Sequence, residues 1–524
     1  TEMPALDAIL EHTDISGEIP LGLVDIPTEL IVGTKTIGRT SSFAPNFMPI
    51  LGENTEFAAK WAALCDAHLR EGIRDPIVAY EYMNHYYVQE GNKRVSVLKF
   101  FDAISVPGYV TRLIPAREDT KESRLYYEFL EFYNATSINY LFFSKEGSYL
   151  HLAYHLGHRR YERWSMDDRI IFRSCYNRFA DAFKELGGDR LHMTVGDAML
   201  IYLDLFDYNQ LKDETPSEIK ENLKKMWAEF ELKNAQETPS VKFDPSPVQK
   251  KNILTKLLSP SEEETITRIA FINRKTPETS SWTYAHELGR LYLKDAFHGT
   301  VQTKAYDDIS GTDNAIAAIE QAIADGYEMI FTTSPEFLSA SLRAAVNHPE
   351  VKILNCSLNS SHKYIRTYYG RMYEAKFLIG VLAGIMTDTN KIGYIADYPI
   401  YGMTANINAF ALGVKMVNPK AKIYLEWSTL KENEHVDLTA KLYSMGATYI
   451  SHQDMIIPRK ITRQFGLFRV NGETPVNLAF PAWNWGKYYE RIIRNVQNGI
   501  WNTEEKSDAN KALHYWWGMS ADVI

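Results

Sequence analysis

Residues 364–427 read YIRTYYGRMYEAKFLIGVLAGIMTDTNKIGYIADYPIYGMTANINAFALGVKMVNPKAKIYLEW. From residue 369 onwards the apolar residues recur at intervals of three and four, which predicts a helix with one buried face. A short apolar run, a second helical pattern and a second apolar run follow in that order. This alternation of helix and strand predicts half of an α/β lobe, with right-handed crossovers between parallel strands.

Both predicted helices contain glycine beside large apolar residues. In the first, which should end near Thr389-Asn390, Gly380 and Gly384 allow a neighbouring element to approach closely. Its predicted buried face comprises Met372, Tyr373, Phe377, Leu378, Val381 and Leu382. The second helix spans residues 405–417 and ends at Asn418-Pro419. Its predicted buried face comprises Ala409, Leu412, Gly413 and Met416.

Residues 391–396 (KIGYIA) are typical of a strand that is buried on both faces of a parallel sheet. Residues 421–427 form the next predicted strand. Asp397 follows the first strand directly. Because open α/β sheets bind ligands beyond the carboxyl ends of their strands, Asp397 is a candidate ligand-binding residue.

Six separated motifs occur in and around this stretch. They are SSWTYAHELGR at 280–290, IFTTSPEF at 330–337, YYGRMYEA at 368–375, NKIGYIA at 390–396, SHQD at 451–454 and WNWGKYY at 483–489. In order and spacing they resemble the basic membrane protein (BMP) family of periplasmic-type solute-binding proteins, whose members bind purine nucleosides or nucleobases for ABC importers. The resemblance covers about residues 268–501. It implies a two-lobed α/β domain of the type I periplasmic-binding-protein fold, which closes on its ligand by a hinge motion.

The resemblance and the predicted strand ends together indicate the ligand-binding residues. Flat aromatic side chains suit purines because stacking on them stabilises a bound base by roughly 1–3 kcal/mol. A few polar groups would read base edges or sugar hydroxyls, and Asp454 is the foremost of these. The aromatic candidates are Trp282, Phe337, Trp483 and Trp485. The polar candidates are Ser334, Glu336, Asp397, Asp454 and Asn484.

One segment departs from the pattern of nucleoside-binding relatives, which have a G-x-D-x-D segment after the next strand. Here the chain reads LFRVNG at 467–472. Recognition of ribose hydroxyls by a carboxylate is therefore disfavoured, and a nucleobase such as adenine is favoured over a nucleoside. Arg469 would instead favour an acidic ligand.

Composition and charge narrow the class of protein. With 524 residues, 45% of them hydrophobic and 23% charged, the chain has the profile of a globular protein of up to three domains. The net charge of −9 gives no overall basic surface for nucleic acid, although a local basic patch stays open. The three cysteines, Cys65, Cys175 and Cys356, are widely spaced and predict buried or partly buried thiols.

The first twenty residues, TEMPALDAILEHTDISGEIP, contain acidic residues where a signal peptide would be positively charged. No run reaches the roughly 18 apolar residues of a transmembrane helix. We therefore expect a cytoplasmic protein, unlike ordinary BMP proteins, which are exported. An exported receptor with its signal further upstream is the alternative.

Residues 1–116 are predicted to form an α+β domain. Strands at 26–34 and 75–90, with a turn at 83–85, precede a helix that begins after Gly91. This arrangement resembles the ParB/sulfiredoxin-like fold, in which a G-x-x-R turn binds nucleotide phosphates. Gly91 and Arg94 occupy the matching positions, and the candidate phosphate-binding residues are Glu90, Gly91, Asn92, Lys93 and Arg94. Asn92 stands where sulfiredoxins have their catalytic cysteine, so peroxiredoxin repair is disfavoured. Nucleotide hydrolysis, phosphotransfer, a DNA-related role and a purely structural role of Arg94 stay open.

Residues 117–235 predict a helical bundle rich in aromatic residues, and residues 236–266 have the composition of a linker. Residues 267–524 form the BMP-like domain. In the bundle, His151 and His155 are four residues apart, with His158 close by, but no HExxH pattern accompanies them. The sequence favours surface or capping histidines there, so no metal and no cofactor is expected.

The sequence thus predicts a cytoplasmic purine-binding or purine-sensing protein in which a BMP-type domain is fused through a helical bundle to a ParB-like domain. It identifies no catalytic residue. One alternative is a nucleotide-dependent enzyme at the Gly91 turn, regulated by the C-terminal domain. The other is a substrate-binding protein of an ABC importer.

Overall fold

The structure is a computed structural model. It describes residues 3–160, 162–235, 239–245, 266–358, 362–397, 401–454, 456–459, 462–472, 474–508 and 511–524. The chain divides into two compact units. The first comprises residues 1–203 and 207–220, and the second comprises residues 204–206 and 221–524.

The first unit begins with a five-stranded mixed sheet in the order β1-β5-β3-β4-β2. Its strands are β1 (Ile15–Pro27), β2 (Ile31–Thr34), β3 (Ile77–Tyr82), β4 (His85–Glu90) and β5 (Ser105–Pro115). The predicted strand at 26–34 is wrong as a single strand, because the 3₁₀ turn Thr28–Leu30 separates β1 from β2. The predicted turn after β3 is confirmed, since Met83 and Asn84 both have positive φ, as a tight hairpin requires.

Most of the other described elements in the first half of the chain are helices. They are α1 (Leu6–Leu10), α2 (Glu56–Glu71), α3 (Asn92–Phe100), α4 (Lys121–Thr136), α5 (Ser148–His155), α6 (Met166–Glu185), α7 (Val195–Leu205), α8 (Tyr208–Asp213), α9 (Pro216–Lys225) and α10 (Trp227–Ala235). Helix α10 belongs to the second unit. Its buried Glu229 accepts hydrogen bonds from the backbone N–H groups of Lys363 (2.5 Å) and Tyr364 (3.3 Å).

The second unit contains two sheets, as the predicted two-lobed α/β fold requires. The first sheet is parallel throughout and has the order β6-β17-β11-β10-β9-β7-β8. Its strands are β6 (Ser240–Lys242), β7 (Thr267–Ile272), β8 (Val301–Tyr306), β9 (Met329–Thr332), β10 (Lys352–Cys356), β11 (Arg366–Gly370) and β17 (Leu513–Trp517). Strand β6 lies within the predicted linker; residues 236–238 and 246–265 of that linker are outside the described residues.

The second sheet has the order β13-β12-β14-β15-β16 and is parallel only between its first three strands. These strands are β12 (Lys391–Ala396), β13 (Lys422–Trp427), β14 (Tyr449–Ser451), β15 (Leu467–Arg469) and β16 (Val476–Ala479). The two strands predicted at 391–396 and 421–427 are confirmed. The remaining helices are α11 (Ser281–Phe297), α12 (Thr312–Ala324), α13 (Leu338–Asn347), α14 (Met372–Met386), α15 (Tyr401–Val417), α16 (Leu438–Ser444), α17 (Trp485–Gln497) and α18 (Ile500–Ser507).

The predicted buried faces of α14 and α15 are partly wrong. Leu378 and Leu382 on α14, and Leu412 and Met416 on α15, are exposed. The glycines determine which side of each helix faces the other helix. A Cβ atom on Gly380 would lie 2.1 Å from the carbonyl oxygen of Phe410, so the two backbones can approach this closely only where a side chain is absent. The small residues therefore form the contact between the helices, and the leucines point away from it.

No helix among the described residues combines the length and the apolar character that a bilayer crossing would need. The three cysteines are free, with Cys175 and Cys356 buried and Cys65 partly buried, as predicted.

Candidate functional site

A cavity of about 300 Å³ lies between the two sheets of the C-terminal unit. Its residues follow the carboxyl ends of parallel strands, where α/β sheets bind ligands. We call this cavity the cleft. On the side of the seven-stranded sheet it is lined by Trp282, Tyr369 and Trp483, and on the side of the five-stranded sheet by Lys376, Tyr394 and Asp454.

The first side of the cleft is an aromatic wall. Helix α11 begins there because Ser280 caps it, accepting a hydrogen bond from the backbone N–H of Thr283 (3.2 Å). The Trp282 indole N–H donates to the carbonyl oxygen of Thr333 (2.7 Å), which fixes the ring. The ring centroid of Trp483 lies 5.6 Å from that of Trp282 and 5.5 Å from that of Tyr369, edge to face in both pairs. These rings leave flat apolar surface toward the cleft.

Two of the predicted aromatic ligand residues lie in the protein core instead. Phe337 is fully buried and Trp485 is 1% exposed. Trp485 stacks on Trp483 with 4.9 Å between ring centroids, and on His286 with 4.4 Å. The expectation that Phe337 and Trp485 line the cleft is thus corrected. Trp485 supports the wall from behind.

The other side of the cleft is an ionic wall. The Lys376 ammonium on α14 donates a short hydrogen bond to a carboxylate oxygen of Asp454, which follows β14. The Lys376 side chain is 2% exposed and that of Asp454 is 19% exposed. Burial acts to lower the pKa of Lys376, but the Asp454 carboxylate outweighs it and raises that pKa. Burial also raises the pKa of Asp454, against the opposing attraction of Lys376. The buried pair therefore presents a charged, hydrogen-bonding edge to the cleft.

Asp397 and His452 complete the polar part of the cleft. Asp397 follows β12, and one of its carboxylate oxygens accepts a hydrogen bond from the Ser428 hydroxyl (2.7 Å). The Nδ1 atom of His452 lies 3.2 Å from the carbonyl oxygen of Gln464, and burial lowers the pKa of this imidazole. An uncharged His452 and an oriented Asp397 can both accept hydrogen bonds from a ligand.

Three of the predicted polar residues contact other groups and are not among the described residues that line the cleft. The Ser334 hydroxyl accepts from the backbone N–H of Glu336 (3.3 Å) and caps a 3₁₀ turn. Glu336 pairs with Arg274 (2.6 Å). The Asn484 side chain donates to the carbonyl oxygen of Asp522 (2.9 Å). Arg469 is exposed, and its guanidinium lies over the Tyr449 ring, so an acidic ligand gains no support from it.

The structure therefore gathers Trp282, Trp483, Asp397 and Asp454 around one cavity. Four residues that line the cavity were not predicted from the sequence: Lys376, Tyr394, Asn406 and Gln453. For Lys376 the sequence contains a signal, because it is the one lysine in the apolar helix MYEAKFLIGVLAGIM. A lone lysine on such a face requires a buried partner, because an unpaired buried charge is costly.

The Gly91 turn of the first unit has the predicted backbone shape. Gly91 has a φ of 98° and caps α3. However, the Arg94 guanidinium donates to the carbonyl oxygens of Asp75 (3.0 Å) and Pro76 (2.6 Å). Lys93 lies over the Phe57 ring, 4.4 Å from its centroid. Arg94 therefore ties α3 to the segment before β3, which is the structural role left open above, and phosphate binding at this turn stays a prediction.

In the bundle, the Nε2 atoms of His151 and His155 lie 3.1 Å apart, and His158 stacks on Trp164 with 4.8 Å between ring centroids.

Comparisons with known proteins concern the C-terminal part of the chain. Residues 266–458 match the family model Bmp, described as ABC transporter substrate-binding protein PnrA-like. A purine-binding protein of Brucella abortus is 25% identical over 268 residues, which are 49% of this chain and 74% of that protein. A protein of Haloferax volcanii, named as a candidate ABC transporter glucose-binding protein, is 25% identical over 50% of this chain and 67% of its own length.

Among solved structures, an ABC transporter solute-binding protein from Conexibacter woesei covers 44% of this chain and 81% of its own, with 15% identity and a TM-score of 0.36. The sheets, the cleft between them and the family match agree with one another. Residues 266–458 of this chain are thus similar to the Bmp family of PnrA-like ABC transporter substrate-binding proteins.

Proposed function

We propose that the cleft binds a purine, and that a nucleobase such as adenine is preferred over a nucleoside. The observation that carries the proposal is the pairing of the Trp282 and Trp483 rings with the buried Lys376–Asp454 pair across one small cavity. A flat heteroaromatic ring gains affinity from an aromatic surface beside it and from hydrogen-bonding groups at its edge. The aromatic wall supplies the first and the ionic wall the second.

The size of the cleft supports the preference for a nucleobase. Its volume of about 300 Å³ is at the small end of the range of ligand pockets, about 300–1,000 Å³. The edge of a purine carries both donors and acceptors. Lys376 can donate, Asp397 and Asp454 can accept, and the amides of Asn406 and Gln453 can do either.

A sugar is the second candidate ligand. Carboxylates beside aromatic rings also suit a ring of hydroxyl groups, and the Haloferax volcanii relative is named for glucose. The two candidates differ in what they require: a purine relies on stacking, whereas a sugar relies mainly on the carboxylates.

Native mass spectrometry of gently purified protein, followed by calorimetric titration with adenine, adenosine and glucose, tests the proposal. We expect adenine to bind most tightly, and Trp282→Ala to weaken binding about tenfold, the loss of one stacking contact. Binding of glucose without any purine would replace the first candidate by the second. Binding of neither would overturn both.

The biological role of the binding domain is a further part of the proposal. The family match supports delivery of the ligand to an ABC importer. The acidic N-terminal residues and the resemblance of residues 1–116 to the ParB-like fold favour a cytoplasmic sensor instead. Cell fractionation distinguishes the two, since a sensor is recovered with cytoplasmic markers and a receptor is recovered outside the inner membrane. The enzymatic alternative at the Gly91 turn is not proposed, because Arg94 already binds backbone carbonyls.

A further inference from the structure

Helices α14 and α15 form an unusually close pair on the five-stranded sheet. Gly380 and Gly384 of α14 face the backbone of Phe410 and Val414, and Gly413 of α15 faces the backbone of Phe377. Because glycine occupies these contacts, the two helices lie close together and form one broad ridge. Their outward surfaces therefore act as a single surface.

This outward surface is apolar. On α14, Leu378 is 47% exposed, Leu382 40%, Ile385 65% and Met386 39%. On α15, Leu412 is 61% exposed and Met416 62%. We call these six residues the helix-pair face. Single exposed leucines need no explanation, but a continuous apolar stripe on two adjacent helices marks an interaction surface.

The helix-pair face also lacks charge. In α14 the two charged residues are engaged elsewhere: Glu374 pairs with Arg371 and Lys376 is buried in the cleft wall. In α15 the one charged residue is Lys415. Surface helices ordinarily carry charged residues on their solvent side. The composition of this pair is that of helices covered on both sides.

The exposed area accounts for much of one side of a dimer interface. With 39–65% of each residue exposed, the six residues leave on the order of 600 Å² in contact with water, the upper end for the largest patch on a monomer. A stable interface buries about 800 Å² on each partner, including a polar rim. The exposed residues Asn408 and Lys415 lie at the edge of the face and supply part of such a rim.

We propose that the helix-pair face binds the same face of a second copy of this chain in a two-fold dimer. An apolar face without acidic groups is self-complementary, and a two-fold axis requires self-complementarity. The chain has a net charge of −9, so two copies repel one another at their acidic surfaces. The helix-pair face has no acidic group and does not add to this repulsion. A membrane surface fits less well, because helices that lie on lipid carry several lysines or arginines, whereas this pair has Lys415 alone outside the cleft.

Sedimentation velocity of the full chain tests the proposal. At protein concentrations on the order of 10 µM we expect a particle of twice the chain mass of 60.1 kDa. The double variant Leu382→Glu with Leu412→Glu should sediment as a monomer. Leu288→Glu is the matched control, since Leu288 is 46% exposed on α11, away from the face, and should leave the dimer intact.

Folding of the double variant is checked by its circular dichroism spectrum and by ligand binding, which should both equal those of the parent because the substitutions lie away from the cleft. Its thermal unfolding midpoint should be lower than that of the parent, since loss of the dimer removes the stabilisation of the folded chain by association. A monomeric parent would overturn the proposal, as would a dimer that survives the double substitution. Flotation with phosphatidylcholine–phosphatidylglycerol vesicles is the remaining readout. Vesicle binding by a monomeric parent, abolished in the double variant, would assign the face to lipid instead.

Discussion

The two walls of the cleft differ in what holds them in place. The aromatic wall rests on neutral groups: Trp483 lies on Trp485, which lies on His286, and His286 is buried without charge. The ionic wall rests on one charged pair, Lys376 on α14 and Asp454 in the segment after β14. A neutral wall loses stability when it acquires a charge, and an ionic wall loses stability when one charge is removed. The difference can be tested at each wall separately.

The largest effect is expected at the ionic wall. Asp454→Asn keeps the shape of the side chain but leaves the Lys376 ammonium buried without a counter-charge. We expect a loss of about 3 kcal/mol in the free energy of unfolding, the low end for breaking a buried pair, because Asp454 keeps some contact with solvent. Urea denaturation followed by tryptophan fluorescence measures it.

Glu426→Gln is the matched control for that prediction. Glu426 pairs with Lys441 in the same lobe (2.8 Å), but Lys441 is 43% exposed, so this substitution should cost below about 1 kcal/mol. Equal losses in both variants would mean that burial of the Lys376–Asp454 pair has no energetic consequence, and the contrast between the walls would disappear.

The next effect concerns a buried neutral group of the seven-stranded sheet and has the opposite cause. His514 is buried in β17, its Nδ1 lies 2.8 Å from the Thr367 hydroxyl, and burial lowers its pKa to about 4. A lowered pKa contributes stability that is present above the unfolded-state value, about 6.5, and is lost as the pH falls toward about 4. Between about pH 7.5 and about pH 5 we therefore expect His514 alone to account for a loss of about 2 kcal/mol in the free energy of unfolding.

Comparison of two variants isolates this contribution. His514→Gln keeps a hydrogen-bonding side chain that does not titrate, so its stability should fall less between the two pH values. His435→Gln removes an exposed histidine of the same unit and should follow the parent. If the two variants show the same dependence on pH, the acid sensitivity does not come from His514.

The elements of the C-terminal unit could be predicted from sequence where short-range signals are strong. The strand at 391–396 and the Ser280 cap follow from local pattern. Asp397 and Asp454 reach the cleft because each lies just beyond a strand end, and Trp282 reaches it from the first turn of α11. Side-chain orientation was harder: α14 is apolar on both sides, so periodicity could not tell which side faces the core.

Partners that are distant in sequence could not be predicted either. Lys376 and Asp454 are 78 residues apart, and nothing near either one indicates the other. Strand β6 lies in a proline-rich segment with the composition of a linker, and it becomes a strand only because the edge of β17 is open to it. In both cases the decisive contact joins residues that are far apart in the sequence, so local composition does not indicate it.

The smallest effect in this series concerns ligand affinity and sharpens the role of the aromatic wall. Trp483→Ala removes one flat surface of the cleft and should weaken purine binding about tenfold, or about 1.4 kcal/mol, within the range for one stacking contact. Trp483→Phe keeps a flat ring and should recover most of the affinity.

Trp516→Ala is the matched control, since Trp516 is partly exposed and contacts Tyr373 and Phe243 rather than the cleft. Calorimetric titration of the three variants with adenine separates stacking from general destabilisation: a general loss would appear in Trp516→Ala as well, whereas a stacking loss appears in Trp483→Ala alone. If instead Trp483→Ala binds adenine as tightly as the parent, the ligand is held by the ionic wall, and the sugar-like mode of binding becomes the better account of the cleft.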